Sequence, residues 1–287
     1  MWCIKKGEVI VSQAYLIDHH QRWQLRGTAP SAYERYLVPA LFTPWAVDLL
    51  ARIALPPGAR VLDVACGTGI VARLAAPQVG AAGHVTGVDR NAAMLEVAQV
   101  QTATWCPAVR WLAGDAEALP FAAAVFDAVF CQQSVQFFAD QARAVREMRR
   151  VLVPGGRCAL NVARSLQYNP YLRALADALE HHISSEAGAV MRAPCSLGEA
   201  ETLRALLATA GFRDIRLHTM TLTIRPAAVM EFLAGQLAST PVAPVVAALD
   251  AAARTALLSD ICARLRPYMH ETGLAVPYAT NVAVASA

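Results

Sequence analysis

The chain has 287 residues, 56% of them hydrophobic and 16% charged, with a formal net charge of +3. That length suits one large domain or a domain with a cap, and the small charge excludes the basic footprint of a nucleic-acid-binding surface. Seven cysteines (Cys3, Cys66, Cys106, Cys131, Cys158, Cys195 and Cys262) include no C-x-x-C pair, which argues against a metal site or disulfide framework and for free thiols in a reducing, cytoplasmic setting. No signal-peptide pattern follows Lys5 and Lys6, the only lysines. Mean hydropathy is high at +0.36, yet the most apolar stretch, 234–253, is interrupted by Pro241, Pro244 and Asp250, so no membrane span is expected.

Residues 1 to about 30 have no clear period and are expected to form a tail or part of a lid. Ser31 is placed to cap a short helix carrying Tyr33, Tyr36 and Leu37. Thr43-Pro44 reads as an N-cap with proline at the first helical position, opening a helix through Trp45, Leu49 and Ile53 that Pro56-Pro57-Gly58 ends. An alternation follows: strand 60–65, helix 70–76, strand 84–89, helix 92–102, strand 109–113, strand 126–131, helix 140–151, a Leu152–Gly156 turn and strand 157–162. Short apolar strands between helices predict parallel βαβ units with right-handed crossovers, an open doubly wound sheet. Beyond 163 the texture changes. Asn169-Pro170 starts a helix, and Ser196 with Glu199 reads as a capping box for another ending at Gly211. Residues 212–224 read as one or two strands, 226–268 as a helical block, and 279–285 as a final strand. The expected division is a lid segment 1–42, a core 43–163, and 164–287 as cap insertions plus the last sheet strands.

The chemistry concentrates in Val61-Leu62-Asp63-Val64-Ala65-Cys66-Gly67-Thr68-Gly69-Ile70-Val71-Ala72. A strand ends in an acid, two glycines allow close approach of a ligand to bare backbone, and a helix N-terminus follows. Gly67-x-Gly69-x-x-Ala72 with Asp89 about twenty residues on satisfies the dinucleotide fingerprint, but S-adenosylmethionine sites share both features. Three observations separate them. Asp63 suits a cationic amino group and would repel a pyrophosphate. Asp115, after the third strand, can accept from an adenine amino group while the Ala116 N–H serves a ring nitrogen. The core has no lysine for a Tyr-x-x-x-Lys hydride dyad.

In order and spacing, VLDVACGTG, GVDRNAAML, GDAEALPF, FDAVFCQQ and LVPGG resemble the successive motifs of class I S-adenosylmethionine-dependent methyltransferases, in the small-molecule branch that includes the ubiquinone/menaquinone methyltransferases. The resemblance covers about residues 45–163. It implies a Rossmann-like, doubly wound, mainly parallel seven-stranded sheet with the last strand antiparallel, under a helical cap. The segment Tyr33–Pro39 departs from the Tyr-Asp entry of quinone methyltransferases.

The resemblance also implies roles. Cys66, Gly67 and Gly69 would let the methionine part of the cofactor lie on backbone, and Asp63 and the Ala65 carbonyl would orient its amino group. Asp89 would grip the ribose, Arg90 and Met94 would sandwich the adenine, and Gly114, Asp115 and Ala116 would read its edge. Gln132 and Gln133 would turn backbone carbonyls toward the methionine moiety. Tyr33, Tyr36 and Trp45 are candidates to close over the sulfonium. His19, His20, His181 and His182 are the candidate bases for an acceptor that needs one. The expected function is methyl transfer by in-line displacement to a small, fairly hydrophobic organic acceptor, releasing S-adenosyl-L-homocysteine. The alternatives are a membrane quinone C-methyltransferase and a non-catalytic S-adenosylmethionine-binding protein. No metal is expected. The sequence leaves the methylated element and the oligomeric state open, a homodimer being one arrangement it allows.

Overall fold

The computed structural model describes residues 2–5, 8–11, 23–104 and 108–287. Strands β1 (Trp2–Lys5) and β2 (Glu8–Val11) pair as an antiparallel hairpin. The main sheet follows the predicted alternation. Its strands are β3 (Arg60–Val64), β4 (His84–Asp89), β5 (Val109–Ala113), β6 (Phe126–Gln132), β7 (Leu152–Ala163) and β8 (Arg213–Ile224). After a two-residue pair, β9 (Met269–His270) with β10 (Gly273–Leu274), it is completed by β11 (Val276–Ser286). The order is β5-β4-β3-β6-β7-β11-β8. Strands β3 to β7 run parallel, and β11 is antiparallel to both its neighbours, β7 and β8. This is the Rossmann-like architecture expected, with its last strand reversed.

The strand order reverses beside β3: β4 and β5 lie on one side, β6 and β7 on the other. Helices leave on opposite faces there, so a crevice opens at the carboxyl ends of β3 and β6. The strands are apolar on both faces because both are covered. One face buries Val61, Phe130, Ala159 and Val282 against α2 (Thr43–Ala51) and α3 (Ile70–Val79). The other buries Leu62, Val129, Leu160 and Ala283 against α5 (Gln141–Val151) and α8 (Ala200–Thr209). Helix α4 (Ala92–Thr102) is capped by Asn91, whose Oδ1 accepts from the Ala93 N–H. A third core unites the entry helix, Tyr33–Phe42, with α6 (Pro170–His182), α7 (Ser185–Arg192), α9 (Val229–Ala238), α10 (Ala243–Ala247) and α11 (Ala251–Arg264) through residues such as Leu37, Leu41, Trp45, Leu175 and Leu233.

Three local expectations are corrected. Neither Ser31 nor Thr43 caps a helix. α1 (Ala29–Ala32) passes into a π-helix, Tyr33–Phe42, and this into α2 without a break. Thr43 is helical (φ −62°, ψ −50°), and its N–H donates to the Val38 carbonyl five residues back. The Thr-Pro signal is local, whereas Leu37, Leu41 and Trp45 are buried together in one core; packing overrides the cap preference. The Ser196/Glu199 box does not form either. Ser196 ends a 3₁₀ turn, Ala193–Cys195, and α8 starts at Ala200. Gly198 holds the chain back, for a Cβ there would stand 2.4 Å from the Ser165 nitrogen. Residues 212–224, read as one or two strands, supply one. Finally, Pro154-Gly155-Gly156 lies within β7 as a bulge: the register moves from Phe126↔Leu152 to Ala128↔Arg157.

Among the described residues, no helix is long and apolar enough to cross a membrane.

Candidate functional site

The turn after β3 forms the floor of the crevice. Ala65, Gly67 and Gly69 adopt positive φ (53°, 56° and 85°), which turns the chain sharply into α3. Two of these positions differ in what they face. A Cβ on Gly67 would stand 3.6 Å from Met94 Cε and 4.0 Å from Tyr33 Oη, bordering the cavity. A Cβ on Gly69 would stand 2.1 Å from the Trp111 ring. Gly69 is therefore required by the left-handed turn and by Trp111, and it does not line the cavity. Gly69→Ala combines backbone strain with a steric overlap, so an expected loss of about 2–4 kcal/mol should appear in urea unfolding; a loss below about 1 kcal/mol would contradict this.

Acidic groups surround the turn. Asp63 is 1% exposed, and its Oδ2 accepts only the Ala72 N–H (3.1 Å). Burial pushes its carboxyl up to about 8, partly opposed by that hydrogen bond. Asp89 ends β4; its Oδ2 accepts from the Gly67 N–H (2.8 Å) and its Oδ1 from the Asn91 N–H (2.8 Å). Burial raises its carboxyl, and the two backbone donors and Arg90 oppose the rise. Asp115 accepts from the Glu117 N–H (2.9 Å) in an Asx turn. Cys66 is buried beside Asp63 and Asp89, and burial first, then those acids, hold it as the thiol.

The structure gathers most of the residues singled out from the sequence. Asp63, Ala65, Cys66, Gly67, Asp89, Arg90, Met94, Gly114, Asp115, Ala116, Gln132 and Gln133 all line one cavity. Gly69, Tyr36 and Trp45, also singled out, do not line it. In the π-helix, residues four and five apart share a face, so Tyr33, Leu37, Leu41 and Phe42 reach the cavity. Tyr36 lies against Gly235, and Trp45 is a core residue 6.1 Å from Tyr278. Of the candidate histidine bases, the two that the structure describes do not reach the cavity. His181 and His182 end α6 away from the cavity, with His182 Nε2 3.2 Å from Asp260 Oδ2. His19 and His20 lie outside the described residues. Among the described residues, no histidine lines the cavity.

Several lining residues carried no readable sequence signal. Thr68 and Ser134 come from turns, Gln136 from the 3₁₀ helix Val135–Phe137, and Tyr171, Met191, Gln236 and Tyr278 from the cap and β11. Only the tertiary fold brings them together. Glu117 was passed over although it follows Asp115; its Oε1 accepts from the Ala139 and Asp140 N–H groups (2.8 and 3.0 Å). Asn91 Nδ2 donates to the Leu25 carbonyl (2.9 Å), which ties the segment before α1 across the rim. Among the described residues, no cluster of His, Cys, Asp and Glu could hold a metal ion.

A family model described as a methyltransferase domain matches residues 62–160. A demethylmenaquinone methyltransferase of Thermus thermophilus is 36% identical over 187 residues, covering 61% of this chain and 82% of that protein. The chain belongs to the methyltransferase family. The chain is also 45% identical over 116 residues to a 2-phytyl-1,4-naphtoquinone methyltransferase of Thermosynechococcus vestitus, covering 40% of this chain. It spans about half (51%) of the length of that relative. The phosphoethanolamine N-methyltransferase 2 of Haemonchus contortus, solved with S-adenosyl-L-methionine, shares the fold with a TM-score of 0.61 at 22% identity, over 98% of this chain and 60% of that one.

Proposed function

We propose that this cavity binds S-adenosylmethionine and that the protein transfers a methyl group to a small, fairly hydrophobic organic acceptor. The observation that carries the reading is the convergence of Asp63, Asp89 and Asp115 on an open Gly67 backbone at the strand-order reversal. The residues present fit the cofactor. Each Asp89 oxygen accepts one backbone N–H, which leaves a lone pair on each for a ribose hydroxyl. The buried Asp63 carboxyl gains most from a cationic partner, matching an ammonium group. Arg90 and Met94 are placed to flank an adenine, and Asp115 with the Ala116 N–H to read its edge.

When bound, S-adenosylmethionine supplies a methyl on a sulfonium, whose sulfur keeps the S–C electron pair as an acceptor lone pair takes the carbon. The chain's own residues position and desolvate. Stacked Tyr33 and Phe42 (4.8 Å between centroids) and buried Tyr171 and Tyr278 exclude water and offer ring faces to positive charge. Burial raises the Tyr33, Tyr171 and Tyr278 hydroxyls, so they serve as neutral hydrogen-bonding groups. Orientation of the two reactants can supply up to roughly 7–11 kcal/mol of barrier reduction. Five described free thiols fit the cytoplasmic location that belongs to this reading.

Calorimetry should show binding of S-adenosylmethionine and none of NAD. Asp89→Ala should weaken cofactor binding at least tenfold, since it removes the ribose grip and the acceptor of the Gly67 N–H. An unchanged affinity would refute that role. The Thermus relative's name favours a quinone as the second acceptor class; methylation of a demethylmenaquinone in detergent, with none of soluble acceptors, would select it.

A further inference from the structure

Most polar side chains on this wall of the cavity, Gln133 excepted, have committed a hydrogen elsewhere. Gln136 Nε2 donates to the Gln133 carbonyl and Gln132 Nε2 to the Phe42 carbonyl (both 3.1 Å). Only the NH₂ end of an amide can face a carbonyl, so both amide orientations are determined, and Oε1 of each is buried with no partner. Gln133, 8% exposed, has neither amide atom paired. The Ser239 and Thr240 hydroxyls donate to the Gly235 and Leu237 carbonyls, and Tyr171 donates to Gln236 Oε1. All these side chains line the cavity. Its wall thus holds three unpaired amide oxygens against one unpaired amide nitrogen, Gln133 Nε2, and a buried acceptor left unpaired is costly.

Charge and shape restrict the occupant further. The charged residues lining the cavity are Asp63, Asp89, Asp115, Glu117 and Arg90, and none of the described ones is a lysine or histidine. An anionic acceptor would meet net negative charge. Trp23 and Phe137, with centroids 4.5 Å apart, join Tyr33 and Phe42 to give walls suited to a flat ring.

We propose that the acceptor is an uncharged aromatic amine, read by the free carbonyls of Gln136 and Gln133, and that Gln136 determines specificity. This rests on the methyl-transfer reading. An aryl amine offers two N–H donors to a wall on which the unpaired amide oxygens of Gln132, Gln133 and Gln136 outnumber the unpaired amide nitrogen of Gln133. Its nitrogen lone pair is available near neutral pH without prior deprotonation, in accord with the absence of a lining histidine among the described residues. The N–C bond forms as the S–C bond breaks, the S–C pair stays on sulfur, and the surplus proton on nitrogen then passes to water.

The test uses three probes of one shape: 5-aminoindane, 5-hydroxyindane and 5-methylindane. Each is titrated into the full chain saturated with S-adenosylhomocysteine, and each is incubated with methyl-labelled S-adenosylmethionine. The amine should bind at least tenfold tighter than the methyl compound, bind tighter than the hydroxyl compound, and take the label on nitrogen. Gln136→Leu should lose most of that preference with S-adenosylhomocysteine affinity kept within twofold. Equal binding of amine and methyl compound, preference for the hydroxyl, no binding of the amine, no label on nitrogen, or full preference in Gln136→Leu each overturns the proposal. If Gln136→Leu loses S-adenosylhomocysteine affinity instead, Gln136 belongs to the cofactor side and the proposal also fails. A wild-type chain that binds no S-adenosylhomocysteine overturns the methyl-transfer reading itself, an outcome distinct from the others. The wild-type discrimination decides the matter even where the variant does not fold.

Discussion

Asp63→Asn is expected to make the unliganded protein more stable above pH 8 and to reduce the loss of stability between pH 4 and pH 8. Burial holds the Asp63 carboxyl at about 8 in the folded chain, against the ordinary value of 3.8. Below pH 4 the acid is protonated whether folded or unfolded and contributes no slope. Between pH 4 and 8 the unfolded chain releases this proton and the folded chain keeps it, so the folded state binds more protons and stability falls as pH rises. The full penalty, on the order of 5 kcal/mol, stands above pH 8. Asparagine keeps a carbonyl oxygen for the Ala72 N–H and has no proton to lose. Urea unfolding of both proteins at pH 5, 7 and 8.5 measures the difference, and parallel pH profiles would remove the buried-carboxyl account. Cofactor affinity should move the opposite way, the variant binding more weakly because it offers no charge to an ammonium group. A carboxyl that destabilises the empty protein is expected where a cationic ligand is held.

Glu34→Ala should cost about 3–5 kcal/mol. One Arg73 terminal nitrogen donates to both Glu34 oxygens, at 2.8 and 3.0 Å, with side-chain exposures of only 10% and 15%. Arg73 Nε is buried and has no partner of its own. Removing Glu34 strands a guanidinium beneath the π-helix that carries Tyr33, Leu37 and Leu41 into the cavity. The paired replacement Glu34→Leu with Arg73→Leu should recover at least half of the loss, since apolar residues of similar volume need no charge partner. A single-variant loss under about 1 kcal/mol, or no recovery in the double variant, would show that the pair is not the clamp it resembles. In the double variant, cofactor affinity tests separately whether the entry helix is held in place by packing alone.

The order of strands β3 to β7, the glycine turn and its acids were legible because each is written in a short run of sequence. An apolar strand must be followed by a turn, the turn needs positive φ at Gly67 and Gly69, and the acid closing each strand falls at the carboxyl edge by the period of the βαβ unit. Gly69 and Tyr36, singled out from the sequence, stay off the cavity wall for opposite reasons. Gly69 has the right conformation, but Trp111, forty-two residues further along the chain, occupies the space its missing Cβ leaves. Tyr36 has the right chemistry but sits in a helix whose wider turn rotates Tyr33 inward in its place. The capping motifs at Thr43 and Ser196 were overruled by burial of Leu41 and Trp45 and by the close passage of Gly198 over Ser165.

The sequence by itself determined the sheet and the Gly67, Asp63, Asp89 and Asp115 constellation, because strand period, turn conformation and strand-end acids are local properties of a chain. The tertiary structure alone decided the cap side of the cavity. Gln136, Tyr171, Gln236 and Tyr278 come from four separate elements, and no spacing in the chain records that they meet. Which of their hydrogens are already spent on carbonyls is a matter of geometry, and that geometry, not residue type, sets what an acceptor must bring.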